Sequence, residues 1–210
     1  MTIPDPPILI ITDRRQCSET LEARAESLFR GGCRWLSLRE KDIDPRERLV
    51  LLARLSDLAR AFGATVGLHA DYPAALRLDT ALHLPSASDV AAARRLLGPL
   101  CLIGQSCHDA AQIDRARMAG ADYVTLSPVF PSASKPGYAP VEDIMEIATV
   151  VRRSGTKILA LGGITESTLP FLSGTAFDGV AIMGEAMRTS APEAWFRRIG
   201  GAWQNLTASG

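Results

Sequence analysis

Two short stretches concentrate fixed positive charge and hydroxyls at the ends of apolar runs. Leu38-Arg39-Glu40-Lys41-Asp42 follows Trp35–Leu38, and Ser132-Ala133-Ser134-Lys135-Pro136-Gly137 follows Tyr123–Leu126. Strand side chains alternate faces, so Ser37, Arg39 and Lys41 fall on one side of their run and Leu36, Leu38 and Glu40 on the other. Two cations on one face require an anionic partner, because burying them unpaired is costly. A phosphate suits both: Arg offers a bidentate fork and Lys a point charge. The proline-bracketed stretch with Ser132, Ser134 and Lys135 offers further donors to a diphosphate. Gly162-Gly163-Ile164-Thr165 and Ile182-Met183-Gly184-Glu185 put glycines after two later runs, where backbone N–H groups can approach a second phosphate.

A diphosphate usually travels with Mg²⁺, which takes one or two carboxylates plus water and phosphate oxygens. Asp71 and Asp89, each just beyond an apolar run, are the best placed carboxylates; Asp13 is a third. A competing role for Ser88 or Asp89 is to cap a helix. His69 and His108 stand at run ends and can contact a ligand, whereas His83 lies inside a run and reads as structural. No G-x-S-x-G elbow, H-E-x-x-H pair or cysteine zinc spacing occurs.

These residues need a scaffold that brings distant turns together. Apolar runs at Ile8–Ile11, Trp35–Leu38, Thr65–His69, Ala81–Leu84, Cys101–Gly104, Tyr123–Leu126, Lys157–Leu161 and Gly179–Met183 alternate with helix-like segments. The helices are expected at 18–31, 45–62, 73–78, 88–97, 109–119, 141–153, 166–172 and 187–206, with caps at Ser18, Asp44, Ser88, Asp109 and Thr165. Eight strand–helix units predict an α/β fold, a compact single-domain (β/α)8 TIM barrel over residues 1–210 with its core at about 8–206. A doubly wound open sheet is the alternative. It would place G-x-G-x-x-G after the first strand, where Thr12-Asp13-Arg14-Arg15 stands instead. In a barrel, the strand C-termini and the loops after them carry the chemistry, which is where every candidate above lies.

Composition narrows the function. Lys+Arg 23 against Asp+Glu 23 gives a formal net charge of zero, without the basic excess of a nucleic-acid binder. Hydrophobic residues make up 47% of the 210. No apolar run reaches the ~20 residues of a membrane span. Cys17, Cys33, Cys101 and Cys107 read as free thiols, and the first residues show no signal-peptide pattern. A cytoplasmic location is the expectation.

Taken jointly, LREKD at 38–42, GQSCH at 104–108, GADYVTLSPVFPSASKPG at 120–137, ALGGIT at 160–165 and GVAIMGEAM at 179–187 resemble the thiamine phosphate synthase family, which includes the related thiazole tautomerases. The resemblance runs from about Ile8 to Met187. It implies a barrel, a homodimer, and a transferase that uses Mg²⁺ to join a pyrimidine methyl diphosphate to a thiazole phosphate with release of diphosphate. It implies that Arg39 and Lys41 contact the pyrimidine diphosphate, joined by Ser106 and Lys135, with Ser132 and Ser134 in place of the family's two threonines. It also implies that Gly162, Gly163, Met183 and Gly184 hold the thiazole phosphate. This chain departs from the pattern at three places. Ser37 stands for Gln, His69-Ala70-Asp71 for Asn-Asp, and Pro85-Ser86-Ala87-Ser88-Asp89 for Gly-Gln-x-Asp. The third resembles the tautomerase branch, but Pro128 fills the position of that branch's histidine. Two alternatives therefore stand beside the synthase: a thiazole tautomerase-like isomerase and a non-catalytic phosphate-binding barrel.

Overall fold

The computed structural model describes residues 2–69, 72–78, 80–131 and 156–208. Eight strands close into a parallel barrel in chain order: β1 (Ile8–Ile11), β2 (Trp35–Leu38), β3 (Thr65–His69), β4 (Ala81–Leu84), β5 (Ile103–Cys107), β6 (Tyr123–Leu126), β7 (Lys157–Leu161) and β8 (Gly179–Ile182). β8 pairs with β1 through Leu9 and Ala181, so the sheet has no edge. The open-sheet alternative is thereby excluded.

Alternation along the strands sorts residues into two cores. Ile8, Ile10, Leu36, Leu38, Val66, Leu68, Val124, Leu126, Val180 and Ile182 face outward into the layer shared with the helices. Leu9, Ile11, Trp35, Ala81, Leu102, Tyr123, Leu159 and Ala181 fill the interior. Continuing with period two from that interior set, Ser37, His83, Ser106 and Thr125 also face inward. His69 joins them as the register partner of His83.

The helices are α1 (Leu21–Arg30), α2 (Pro45–Arg60), α3 (Tyr72–Leu78), α4 (Val90–Leu97), α5 (Ala110–Met118), α6 (Gly184–Arg188) and α7 (Pro192–Ala208). α1 buries Leu21, Ala25, Leu28 and Phe29, the single stripe of an amphipathic helix, against a matching stripe of α7 at Trp195, Phe196, Ile199 and Trp203. Caps expected at Asp44 and Asp109 are present: Asp44 accepts the Arg46 N–H and Asp109 the Gln112 N–H. Of the two candidates before α4, Asp89 is the cap. Two caps differ: Thr20, not Ser18, caps α1 by accepting from the Ala23 N–H, and Thr168, not Thr165, stands at the head of the 3-10 turn. Ser18 instead bonds the neighbouring Glu19 carboxylate.

Three elements also differ. β5 begins at Ile103, two residues later than expected, and runs on through Gln105 and Ser106, because a polar pair can continue a strand when both side chains find partners. The segment expected as a helix over 166–172 forms only a 3-10 turn at Leu169–Leu172, with Pro170 in its first turn. The last expected helix is two, separated where Pro192 opens α7. The helix expected over 141–153 lies outside the described residues.

Two aspartates fix the register at the far end of the barrel. Asp122, just before β6, accepts the Ile103 N–H at 2.8 Å, and Asp178, just before β8, accepts the Ile158 N–H at 2.9 Å. Arg94 completes the first clamp, reaching Asp122 at 2.6 Å and the carbonyls of Gly98, Cys101 and Gly120.

Candidate active site

Sequence-distant groups meet at the C-terminal mouth of the barrel. The β1 and β2 turns are laced together. Arg14 binds Asp42 at 2.9 and 3.0 Å, its N–H donates to Glu40 Oε1 at 3.0 Å, and Thr12 Oγ1 accepts the Arg39 N–H at 2.8 Å. The carboxylates beside Arg39 and Lys41 in sequence are therefore occupied by Arg14. The Asp42 carboxyl is held below its ordinary value mainly by the Arg14 hydrogen bond. The Arg39 guanidinium makes no hydrogen bond or ion pair with a described side chain and stays half-buried at the mouth. β2 ends at Leu38, so period-two alternation places Ser37 in the interior, while Lys41 sits in the exposed turn beyond.

The interior of the mouth is polar. His69 and His83 stack with ring centroids 4.9 Å apart. His83 lies between two hydroxyls: Nδ1 is 3.1 Å from Tyr123 Oη and Nε2 is 3.0 Å from Ser106 Oγ. Burial pushes the His83 ring down to about 3. Burial pushes His69 to about 2, with further repulsion from His83, Arg39 and Lys41. Both rings are neutral at neutral pH, and the charges of Arg39 and Lys41 bear on the same spot. Ser37 Oγ, His69 Nδ1 and Thr125 Oγ1 are buried with no hydrogen-bond partner among the described residues. An unsatisfied buried group costs about 1–3 kcal/mol. A cluster of such groups beside cations suits a ligand with a polar, planar edge and an anionic tail.

The next turns are held by side chains. Gln105 Nε2 donates to the carbonyls of Pro85 and Ser88 at 3.1 and 2.9 Å and fixes the turn that leads to Asp89. Asp89 Oδ1 accepts the Ala92 N–H at 2.9 Å, so one oxygen caps α4, while Oδ2 bonds no described residue. His108 Nδ1 lies 2.7 Å from the Ser127 carbonyl; since a carbonyl only accepts, Nδ1 carries the proton. Asp13, the third carboxylate, is raised by burial but held below its ordinary value on balance by hydrogen bonds from Gln16 and Arg15.

Opposite lie the glycine turns. Gly162 and Gly163 have φ of 97° and 65°, and a Cβ on Gly163 would sit 2.5 Å from the Pro131 carbonyl oxygen. The pair is thus pressed against the 128–131 segment in a conformation that favours glycine. Glu185 Oε2 accepts from the Glu166 N–H and from Trp195 Nε1, tying the β7 and β8 turns together. Buried Arg24 fixes the end of α6 by donating to the carbonyls of Ala186 and Thr189. The Arg188 guanidinium covers Gly184, 2.7 Å from where a Cβ would stand, and binds Gln16.

The structure thus brings Ser37, Arg39, Lys41, His69, Ser106 and His108 to one mouth, with Gly162, Gly163, Met183 and Gly184 on its other rim. Ser132, Ser134, Lys135 and Asp71 lie outside the described residues. Sequence reasoning missed Thr12, Gln105, Thr125 and Tyr123 and set His83 aside as structural. Inward period-two positions were the available signal for Tyr123, Thr125 and His83; Thr12 and Gln105 fall on the outward phase, and nothing local marked them. Among the described residues no three His, Cys, Asp or Glu side chains form a metal-binding group, and no helix is long and apolar enough to cross a membrane.

Residues 8–186 match the family model described as thiamine monophosphate synthase. The chain belongs to that family. A thiamine-phosphate synthase of Chromobacterium violaceum is 36% identical over 169 residues, covering 78% of this chain and 80% of that protein. Another, of Thioalkalivibrio sulfidiphilus, is 34% identical over 185 residues, covering 86% and 87%. Among solved structures, a thiamine phosphate pyrophosphorylase from Pyrococcus furiosus superposes with a TM-score of 0.84 at 21% identity, covering 95% and 96%. A 3-hexulose-6-phosphate synthase from Salmonella typhimurium also superposes, at 0.69 and 16% identity, so the barrel alone does not choose the reaction.

Proposed function

We propose that this chain is a thiamine-phosphate synthase. The methylene–oxygen bond breaks, diphosphate leaves with the electron pair, and the thiazole nitrogen captures the pyrimidine methyl cation that remains. The observation that carries this reading is the meeting of Arg39 and Lys41 with the inward polar cluster of Ser37, His69, Ser106 and Thr125 at one barrel mouth. The cations, with Lys135, stabilise charge growing on the departing diphosphate, which is electrostatic preorganisation rather than acid–base chemistry. The interior groups receive the heterocycle. Ser132 and Ser134 add donors to the diphosphate, and the turns at Gly162, Gly163, Met183 and Gly184 cradle the thiazole phosphate. Asp71 and Asp89 are the carboxylates for Mg²⁺. The free Asp89 Oδ2 suits an ion that takes few protein ligands, and bound Mg²⁺ would neutralise phosphate charge. The same reading carries a homodimer, a cytoplasmic location and one domain over residues 1–210.

Burial pushes His69 far below neutrality and makes it a poor general base, so the isomerase reading rests on His108. The test is incubation of the pure protein with Mg²⁺, pyrimidine methyl diphosphate and thiazole phosphate. Thiamine phosphate and diphosphate should appear in equal amounts. Absence of product, with proton exchange on the thiazole phosphate alone, would overturn the reading in favour of the isomerase. Phosphate-ligand binding with neither reaction would leave the binding barrel.

A further inference from the structure

The Tyr123–His83–Ser106 hydrogen-bond chain has a direction. Tyr123 is 1% exposed, and among the described residues its hydroxyl has one partner, His83 Nδ1. If Nδ1 carried the proton and donated to Tyr123, the phenol proton would be left buried without an acceptor. If the phenol donates, every group is satisfied: Nδ1 accepts, the neutral ring carries its proton on Nε2, and Nε2 donates to Ser106 Oγ at 3.0 Å. Ser106 then has its own proton free. Ser106 is half-buried at the C-terminal end of β5, on the interior face, beside its register partner Thr125, whose hydroxyl is unpartnered among the described residues.

We propose that Tyr123 and His83 are positioning residues that lock the Nε2–H tautomer and so make Ser106 an obligatory donor toward an anionic oxygen at the barrel mouth. The order is Tyr123 O–H to His83 Nδ1, His83 Nε2–H to Ser106 Oγ, and Ser106 O–H outward. Each bond polarises the next in the same sense, which strengthens the terminal donor. The sheet is built to admit this chain. The Tyr123 ring lies across β5 at Gly104, where a Cβ would stand 2.1 Å from Cζ, and it packs edge-on against Trp35 at 4.7 Å. Only a glycine at 104 lets the phenol reach β4. The identity of the anion, the departing diphosphate, rests on the synthase reading; the tautomer does not.

The full chain labelled with ¹⁵N histidine tests it. His83 is assigned by the signals lost in His83→Gln. In the wild type at pH 7, Nδ1 should resonate as an unprotonated nitrogen and Nε2 as a protonated one. In Tyr123→Phe the proton should move wholly or partly to Nδ1. A protonated Nδ1 in the wild type, or an unchanged Nε2–H tautomer in Tyr123→Phe, overturns the proposal. Should Tyr123→Phe fail to fold, the wild-type spectrum alone decides. In the synthase assay Ser106→Ala and Tyr123→Phe should each lower kcat, Ser106→Ala by about tenfold or more. The double variant should be no slower than Ser106→Ala, with the KM for thiazole phosphate unchanged throughout. Additive losses would also overturn it. A wild type inactive in that assay would refute the synthase reading and leave the spectrum to judge the tautomer.

Discussion

His69 and His83 should make this barrel unusually sensitive to mild acid, and the size of the effect follows from their burial. Their folded values of about 2 and about 3 lie below the ordinary 6.5. Between those values the unfolded chain binds protons that the folded chain refuses. Their contribution is therefore intact above about pH 6.5 and is lost as the pH falls toward the folded values. Each ring costs about 1.4 kcal/mol per pH unit in that window, so the pair removes about 5 kcal/mol between pH 7.5 and pH 4.5. That is comparable with the whole stability of many domains, about 5–15 kcal/mol. Asp42 and Glu166, held below their ordinary 3.8 and 4.5 by hydrogen bonds from Arg14 and Arg198, lose their contribution only at lower pH, so the window isolates the histidines. The assay is urea unfolding at half-unit pH steps, run on the wild type and on His69→Asn. The wild-type free energy should fall at about 2.7 kcal/mol per pH unit below pH 6 and that of the variant at about half that slope. A flat wild-type profile, or equal slopes in the two proteins, would refute the reasoning.

Four further outcomes are expected. Gly104→Ala should lower stability by about 1–3 kcal/mol or more and abolish the His83–Tyr123 bond, because the added Cβ falls inside the buried ring; unaltered urea midpoints would contradict that. Arg39→Ala and Lys135→Ala should each reduce turnover by ~10²-fold or more if they stabilise the leaving diphosphate, and wild-type kinetics in either would remove that residue from the mechanism. Gln105→Leu, which frees the Pro85–Ser88 turn, should raise the Mg²⁺ concentration needed for half-maximal rate while leaving the KM for thiazole phosphate alone; an unchanged metal titration would count against a role for Asp89. Arg94→Met should cost about 3 kcal/mol by leaving Asp122 partly buried without its cation, with kcat unaffected, since the clamp lies at the end of the barrel away from the mouth.

Much was legible in one sequence because a barrel strand is a local object. Six of the eight strands keep the bounds read from their apolar runs, and β8 ends one residue sooner. The exception, β5, shows the limit: Gln105 and Ser106 look like the start of a loop until the Pro85 and Ser88 carbonyls and His83 are known to receive them. The site divides the same way. Arg39, Lys41 and the glycine turns declared themselves because charge and glycine at a strand end are local signals, whereas Ser106 came only from the family resemblance.

What the tertiary structure alone decided was pairing. The sequence could not say that Arg14 takes Glu40 and Asp42 out of reach of Arg39, nor that Asp89 spends one oxygen on its own helix. Nor could it say that an interior histidine links Tyr123 to Ser106 across three strands. Alternation and apolar periodicity follow from the geometry of one strand. Which side chains face each other across the barrel follows from its closure and register, which belong to all eight strands at once.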